Sequence, residues 1–372
     1  MFDLERRIGY RQLTEILALF MIVQFAGLFI ATFSVTPVQV YSIGNNQGVL
    51  FSNPLLEALY YVVSIAIFAV LILAILRIYK NKGAFLFRII EAFAVGFGTA
   101  AMFFVILSTV FYSASLTYTG IAAVILGALV VAAKTKFRRL RNFAALTSSI
   151  GLGVIIGAYG FSLAYLFMFV MAIYDYIAVF VTKHMLALAK AASNSNLSLL
   201  IGSSDVEIIP KAHADKKALA ELKHEVKKNQ IKDPIIRKVI ESGELPVLSQ
   251  IQLGAGDLTL PLVMSVGIFV STLNYYIAVI AVLGAIAGLL VTMWLLKRYS
   301  VALPAIPPLF AVMNFFMGIG FLTYSHPEYI QALEMMVVGA AFMLLMILTL
   351  ERNKNSSKNK STATHGKPAQ KP

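Results

Sequence analysis

Asp175, in Tyr174-Asp175-Tyr176-Ile177-Ala178-Val179, and Asp257, in Leu253-Gly254-Ala255-Gly256-Asp257, stand in long apolar stretches that contain no Lys or Arg. An ionised group inside hydrocarbon costs several kcal/mol, so acids at such positions are functional candidates by default. Two carboxylates in a low-dielectric site without a cation cannot both ionise comfortably, and sharing one proton is the physical solution. Such a pair can divide the work of hydrolysis. One carboxylate takes a proton from a water attacking a carbonyl, the other protonates the carbonyl oxygen, and the roles reverse as the intermediate collapses. Membrane aspartates also carry protons in coupled transporters, and spacing alone leaves both readings open.

The surroundings of the two acids narrow the chemistry. Gly254 and Gly256 precede Asp257 closely and would let a substrate or another backbone approach, although small residues also serve helix packing. Leu303-Pro304-Ala305-Ile306-Pro307-Pro308 contains three prolines in five residues, which a regular helix interior does not accept. Prolines also favour a helix start; the alternative is an extended segment lining a cavity, with backbone groups open to an unwound substrate. Tyr174 and Tyr176 could hydrogen-bond near the acids or simply pack. Glu57, Glu91 and Glu334 fall near span ends, where interfacial or ion-paired roles explain them; Glu91 lies three residues after Arg88. His184 lies more than two turns past Asp175 and reads as interfacial. The absence of Cys removes disulfides and thiol chemistry, and no metal or other cofactor is expected.

These residues need elements to hold them. Of 372 residues, 59% are hydrophobic and 13% charged, far from the roughly 45–50% and 25% of soluble domains. Apolar stretches recur at about 14–34, 56–76, 89–110, 116–133, 247–270, 275–296, 302–323 and 330–350, and the run from Asn142 to Thr182 is long enough for two crossings. Gly157-Ala158-Tyr159-Gly160 suits a turn between them. The predicted fold is all-α, a polytopic transmembrane helix bundle of ten spans. No cleavable leader precedes the first span, which is expected to be retained. All 31 Lys and Arg fall at the termini or on even-numbered connections. The positive-inside rule then places both termini and the long sixth connection in the cytoplasm, in a cell membrane. The +13 net charge is thereby an orientation signal, and no nucleic-acid partner is needed.

The expected organisation is an N-terminal membrane region over 1–182, a cytoplasmic loop over 183–246, a C-terminal membrane region over 247–350 and a disordered basic tail over 351–372. Within the loop, Ala191–Ser204 reads as a flexible link and Asp215–Lys228 as an amphipathic helix. Depth arithmetic supports a meeting of the acids. Asp175 lies about 15 residues, roughly 22 Å, past the outer turn, and Asp257 about 11 residues, roughly 16 Å, in from Pro246.

Tyr174-Asp175, Gly254-Ala255-Gly256-Asp257 and Pro304-Ala305, in that order and with a long loop between the acids, resemble the presenilin and signal peptide peptidase family of intramembrane aspartyl proteases. The resemblance covers the first nine spans and is nearest to presenilin homologues of prokaryotic (archaeal) type. It implies catalytic roles for Asp175 and Asp257, with Tyr174, Gly254, Gly256, Pro304, Ala305 and Ile306 shaping the site or contacting substrate. The implied partners are the lipid bilayer and transmembrane helical proteins. The cytoplasmic termini match presenilins and imply N-out, type I substrates. Ile306 replaces the Leu of the family's Pro-Ala-Leu motif, and the tenth span is an addition. Thr259, where prepilin peptidases usually carry Lys, separates the chain from that group. A transporter and a noncatalytic scaffold are the competing readings.

Overall fold

In the computed structural model the described residues are 10–43, 63, 83–111, 115–137, 140–182, 200–209, 240–242, 245–299, 303–324 and 329–365. Among the described residues, five helices precede the long loop: α1 (Tyr10–Ile43), α2 (Gly83–Val110), α3 (Leu116–Lys136), α4 (Leu140–Gly157) and α5 (Phe161–Tyr176), the last continued by a π turn at Ile177–Val181. Strands β1 (Leu200–Ile209) and β2 (Leu245–Gly254) pair as a two-stranded sheet. Helices α6 (Ala255–Thr272), α7 (Tyr275–Tyr299), α8 (Ile306–Tyr324) and α9 (Tyr329–His365) follow. Among the described residues, nine helices are long and apolar enough to cross a membrane. They correspond to nine of the ten predicted spans, the final one being α9. The remaining predicted span, 56–76, lies outside the described residues apart from Val63, as does the predicted amphipathic helix at 215–228.

The chain divides into two compact units, one of Met1–Glu5, Leu17–Ile201 and Gly254–Pro372, the other of Arg6–Ile16 and Gly202–Leu253. The second contains most of the sheet. Three local readings differ from the sequence expectation. The seventh span starts at Ala255 and not near 247, because Leu245–Gly254 is strand. Ser249, Gln250 and Gln252 interrupt its apolar run, and Pro246 suits the start of a strand. The end of the expected flexible link, Leu200–Ser204, belongs to β1, whose Val206, Ile208 and Ile209 favour strand. Helix α9 runs on to His365, into the tail expected to be disordered from residue 351. From Glu351 on, no Gly or Pro stands in the chain before Gly366, so nothing in the backbone stops a helix already begun.

In the first unit, α6 is the enclosed centre, with every residue from Leu258 to Val270 buried. Small residues let neighbours come close, as expected where lipid offers no hydrophobic drive for helix association. A Cβ at Gly267 would sit 2.6 Å from Ala164 Cβ of α5, and one at Gly153 of α4 would sit 2.6 Å from Leu262 Cδ2. Gly160, at φ 99° in the predicted turn between α4 and α5, adopts a conformation that favours glycine. Beside it, the Phe161 amide donates to Ser271 Oγ at 2.8 Å and pins the start of α5 to the end of α6.

Glu91 of α2 and Lys134 of α3 form a buried ion pair, Nζ to Oε1 at 3.1 Å, with side chains 5% and 6% exposed. A partner of Glu91 is therefore on the next helix.

Candidate active site

The pin between Phe161 and Ser271 sets the level of the two acids. Asp175 lies 14 residues after Phe161 on α5, and Asp257 lies 14 residues before Ser271 on α6. At 1.5 Å per residue both run roughly 21 Å from the same point along packed antiparallel helices. Equal spacing from one anchor brings the carboxylates to one depth, and Asp257 lies within Coulombic range of Asp175. The depth count from Pro246 is superseded, since Asp257 is the third residue of a helix that starts at Ala255.

Each carboxylate is held by a backbone amide. Asp257 Oδ2 accepts from the Gly254 N–H at 3.2 Å, reaching back from the first turn of α6 to its N-cap. This is the reciprocal half of a capping box and places the carboxylate at the positive end of the helix dipole. A Cβ on Gly254 would lie 3.2 Å from Asp257 Oδ2, close enough to press the carboxylate aside by a few tenths of an ångström. A Cβ on Gly256 would meet nothing within 4 Å, which leaves open space beside Asp257.

Asp175, 6% exposed, accepts on Oδ2 from the Ile306 amide of α8 at 3.2 Å. Leu303, Pro304 and Ala305 are not helical, and α8 begins at Ile306. Pro307 and Pro308 occupy its next two positions and have no N–H to offer. Ile306 thus supplies the one amide donor among the first three residues of α8, and the Asp175 carboxylate caps it. The helix-start reading of the proline segment holds for Pro307 and Pro308, which lie in the first turn of α8, while Pro304 and the bend at Ala305 stand before it.

The structure brings Asp175, Asp257, Gly254 and Ile306 into one constellation. Tyr174 is 40% exposed, on a different side of α5 from the buried acid. Gln24 is a residue that sequence reasoning passed over. It is fully buried, and its Nε2 donates to the Leu258 carbonyl at 2.9 Å, next to Asp257. Three residues on, Pro261 has no N–H to return to the Asp257 carbonyl, which loosens this turn of α6. The available signal was an amide side chain in the middle of an apolar stretch. Among the described residues no group of three or more His, Cys, Asp or Glu is placed to hold a metal ion.

Residues 17–324 match the family model described as signal-peptide peptidase, presenilin aspartyl protease. The chain belongs to this family. The presenilin and signal peptide peptidase proteases cleave peptide bonds of transmembrane helices within the bilayer, and the chain is accordingly a multi-pass intramembrane aspartic peptide hydrolase. This decides between hydrolysis and transport in favour of hydrolysis. A solved presenilin family intramembrane aspartate protease shares the fold, with a TM-score of 0.51, 18% identity, and coverage of 84% of this chain and 99% of the other. No curated protein sequence matches the chain. The family match ends at residue 324, before α9 begins at Tyr329.

Proposed function

We propose that Asp175 and Asp257 form the catalytic dyad of this protease. The observation that carries the reading is the hydrogen bond from Ile306 to Asp175, which joins the Pro304-Ala305-Ile306 segment to one acid while Gly254 holds the other. Sharing one proton, the pair supplies a base to the attacking water and an acid to the carbonyl oxygen. A helical substrate hides its carbonyls in its own hydrogen bonds and must unwind locally, so its freed backbone groups need partners. The non-helical residues Leu303, Pro304 and Ala305 are suited to that. Gly256 keeps room for the scissile peptide beside Asp257. Tyr174 takes a peripheral position in contact with the incoming helix or lipid.

The substrates are transmembrane helices in the N-out, type I orientation. The basis is the confinement of Lys and Arg to one set of connections, which puts both termini and the 183–246 loop in the cytoplasm of a cell-membrane protein. The dyad then faces the cytoplasmic half. The helices on either side of the long loop, α5 before it and α6 and α8 after it, carry the site.

Purified protein should cleave a model transmembrane helix in detergent without another subunit, and Asp175→Ala and Asp257→Ala should each abolish cleavage. In proteoliposomes of known orientation, N-out helices should be cut and inverted copies spared. Full activity in either aspartate variant would overturn the dyad, and equal cutting of both orientations would overturn the substrate class.

A further inference from the structure

Helix α9 lies beyond the family match, yet it is tied to the segment that carries Asp175. Tyr176, the residue after Asp175, has its hydroxyl 2.7 Å from Thr349 Oγ1 of α9. The single Thr349 hydroxyl proton is committed to the Leu345 carbonyl one turn back, at 2.8 Å. Tyr176 is therefore the donor and Thr349 the acceptor.

This bond falls where α5 needs outside support. Regular α-helix stops at Tyr176, and the chain goes on as a π turn in which the Thr182 amide reaches back five residues to the Ile177 carbonyl at 3.0 Å. Such turns are rare and recur at functional sites. The Tyr176 ring meets Phe180 across the turn at 5.2 Å between centroids. Phe180 in turn packs on a cluster formed by Leu295 and Tyr299 of α7 and Leu350 of α9.

A second contact joins the same elements higher up. Phe342 of α9 lies 5.7 Å from Phe169 of α5 and 5.2 Å from Phe310 of α8, while those two rings are 5.8 Å apart. One ring comes from each helix. Phe310 is one turn past Ile306, so the triad sits over the same α5–α8 seam that the hydrogen bond from Ile306 to Asp175 crosses.

We propose that α9 is a brace for the active site, and that Tyr176 and Thr349 are positioning residues that hold Asp175 on the Ile306 amide. The inference rests on the dyad reading above. Neither hydroxyl touches the reacting atoms; each acts through Asp175. Their bond fixes the last α-helical turn of α5, and the aromatic triad keeps α5 and α8 from parting. A misplacement of about 1 Å at a catalytic group can cost up to about 100-fold in rate, so a modest anchor there has a large lever.

The test uses the full chain and a saturating series of one model substrate helix. Tyr176→Phe and Thr349→Val should each lower kcat about tenfold while KM stays within about twofold, since substrate contacts are left intact. The double variant should be no worse than either single one, because both remove the same bond. Thr349→Ser keeps the hydroxyl and should restore the wild-type kcat. Melting curves in detergent identify any variant that has lost its fold; Phe342→Leu then tests the seam through the triad, with the same prediction of a kcat loss at constant KM. If the wild type cleaves and Asp175→Ala does not, but Thr349→Val turns over at the wild-type rate, the brace is wrong and the dyad stands. Losses that multiply in the double variant would likewise overturn it. If Asp175→Ala cleaves normally, the dyad itself fails.

Discussion

The backbone amide of Ile306 donates to Asp175 Oδ2 across a sequence distance of 131 residues. It is the one amide among the first three residues of α8, since two prolines follow it. The bond carries a direct prediction. Ile306→Pro removes the donor at a position where proline suits a helix start, and should lower kcat by about tenfold or more, in line with loss of a hydrogen bond to a charged group. Ile306→Leu keeps the amide and restores the family's usual residue, and should retain near-wild-type turnover. Steady-state cleavage of a model helix by both variants decides it, and equal activities would remove the amide from the mechanism.

The two glycines before Asp257 should behave differently. At Gly254 an added Cβ would lie 3.2 Å from the carboxylate oxygen, and at Gly256 it would meet open space. Gly254→Ala should displace Asp257 and cut activity sharply in a folded protein. Gly256→Ala should fold at least as well as the parent, since alanine is favoured over glycine in a helix by about 1 kcal/mol. Any activity it loses then reports crowding of the substrate. Melting temperature and cleavage rate, measured on both, separate the two effects.

Gln24 offers a test of support from α1. Gln24→Leu removes the donor to the Leu258 carbonyl and also removes Oε1, which is buried with no partner among the described residues. The two changes oppose each other in stability, so the melting temperature should move little while kcat falls severalfold. A large drop in melting temperature with unchanged kcat per folded molecule would make Gln24 a packing residue only.

The ion pair between Glu91 and Lys134 should matter to stability and not to chemistry. Lys134→Met removes the cation that α3 brings to the buried Glu91 carboxylate and should cost about 3–5 kcal/mol, whereas the double change Glu91→Leu with Lys134→Met should recover most of it. Unfolding in detergent measures both. A double variant no more stable than the single one would contradict the pairing.

Much of this protein is legible in its sequence because a bilayer sets its demands residue by residue. Spans show as apolar runs of fixed length, the turn at Gly157–Gly160 as a break within one run, and Asp175 and Asp257 as acids with no cation in reach. Composition can report those features without knowledge of what packs where. The strand at Leu245–Gly254 was less legible. Its apolar residues meet the demands of a membrane helix as well, and the choice rests on pairing with β1, about 45 residues away in the chain.

What only the tertiary structure decided is which partner each polar group finds. Gln24 reaches Leu258 over 234 residues, Tyr176 reaches Thr349 over 173, and Lys134 reaches Glu91 over 43. No local pattern encodes such pairs; they follow from how the helices pack, as where Gly27 of α1 lies against Leu262 of α6 and Gly127 of α3 against Gly96 and Ala100 of α2. The amino-acid sequence by itself determined that two carboxylates would lie in the membrane. Their common depth, and the amide that holds each one, came from the packing of α5, α6 and α8, because a hydrogen bond a few ångströms long can form only after helices far apart in the chain are in place.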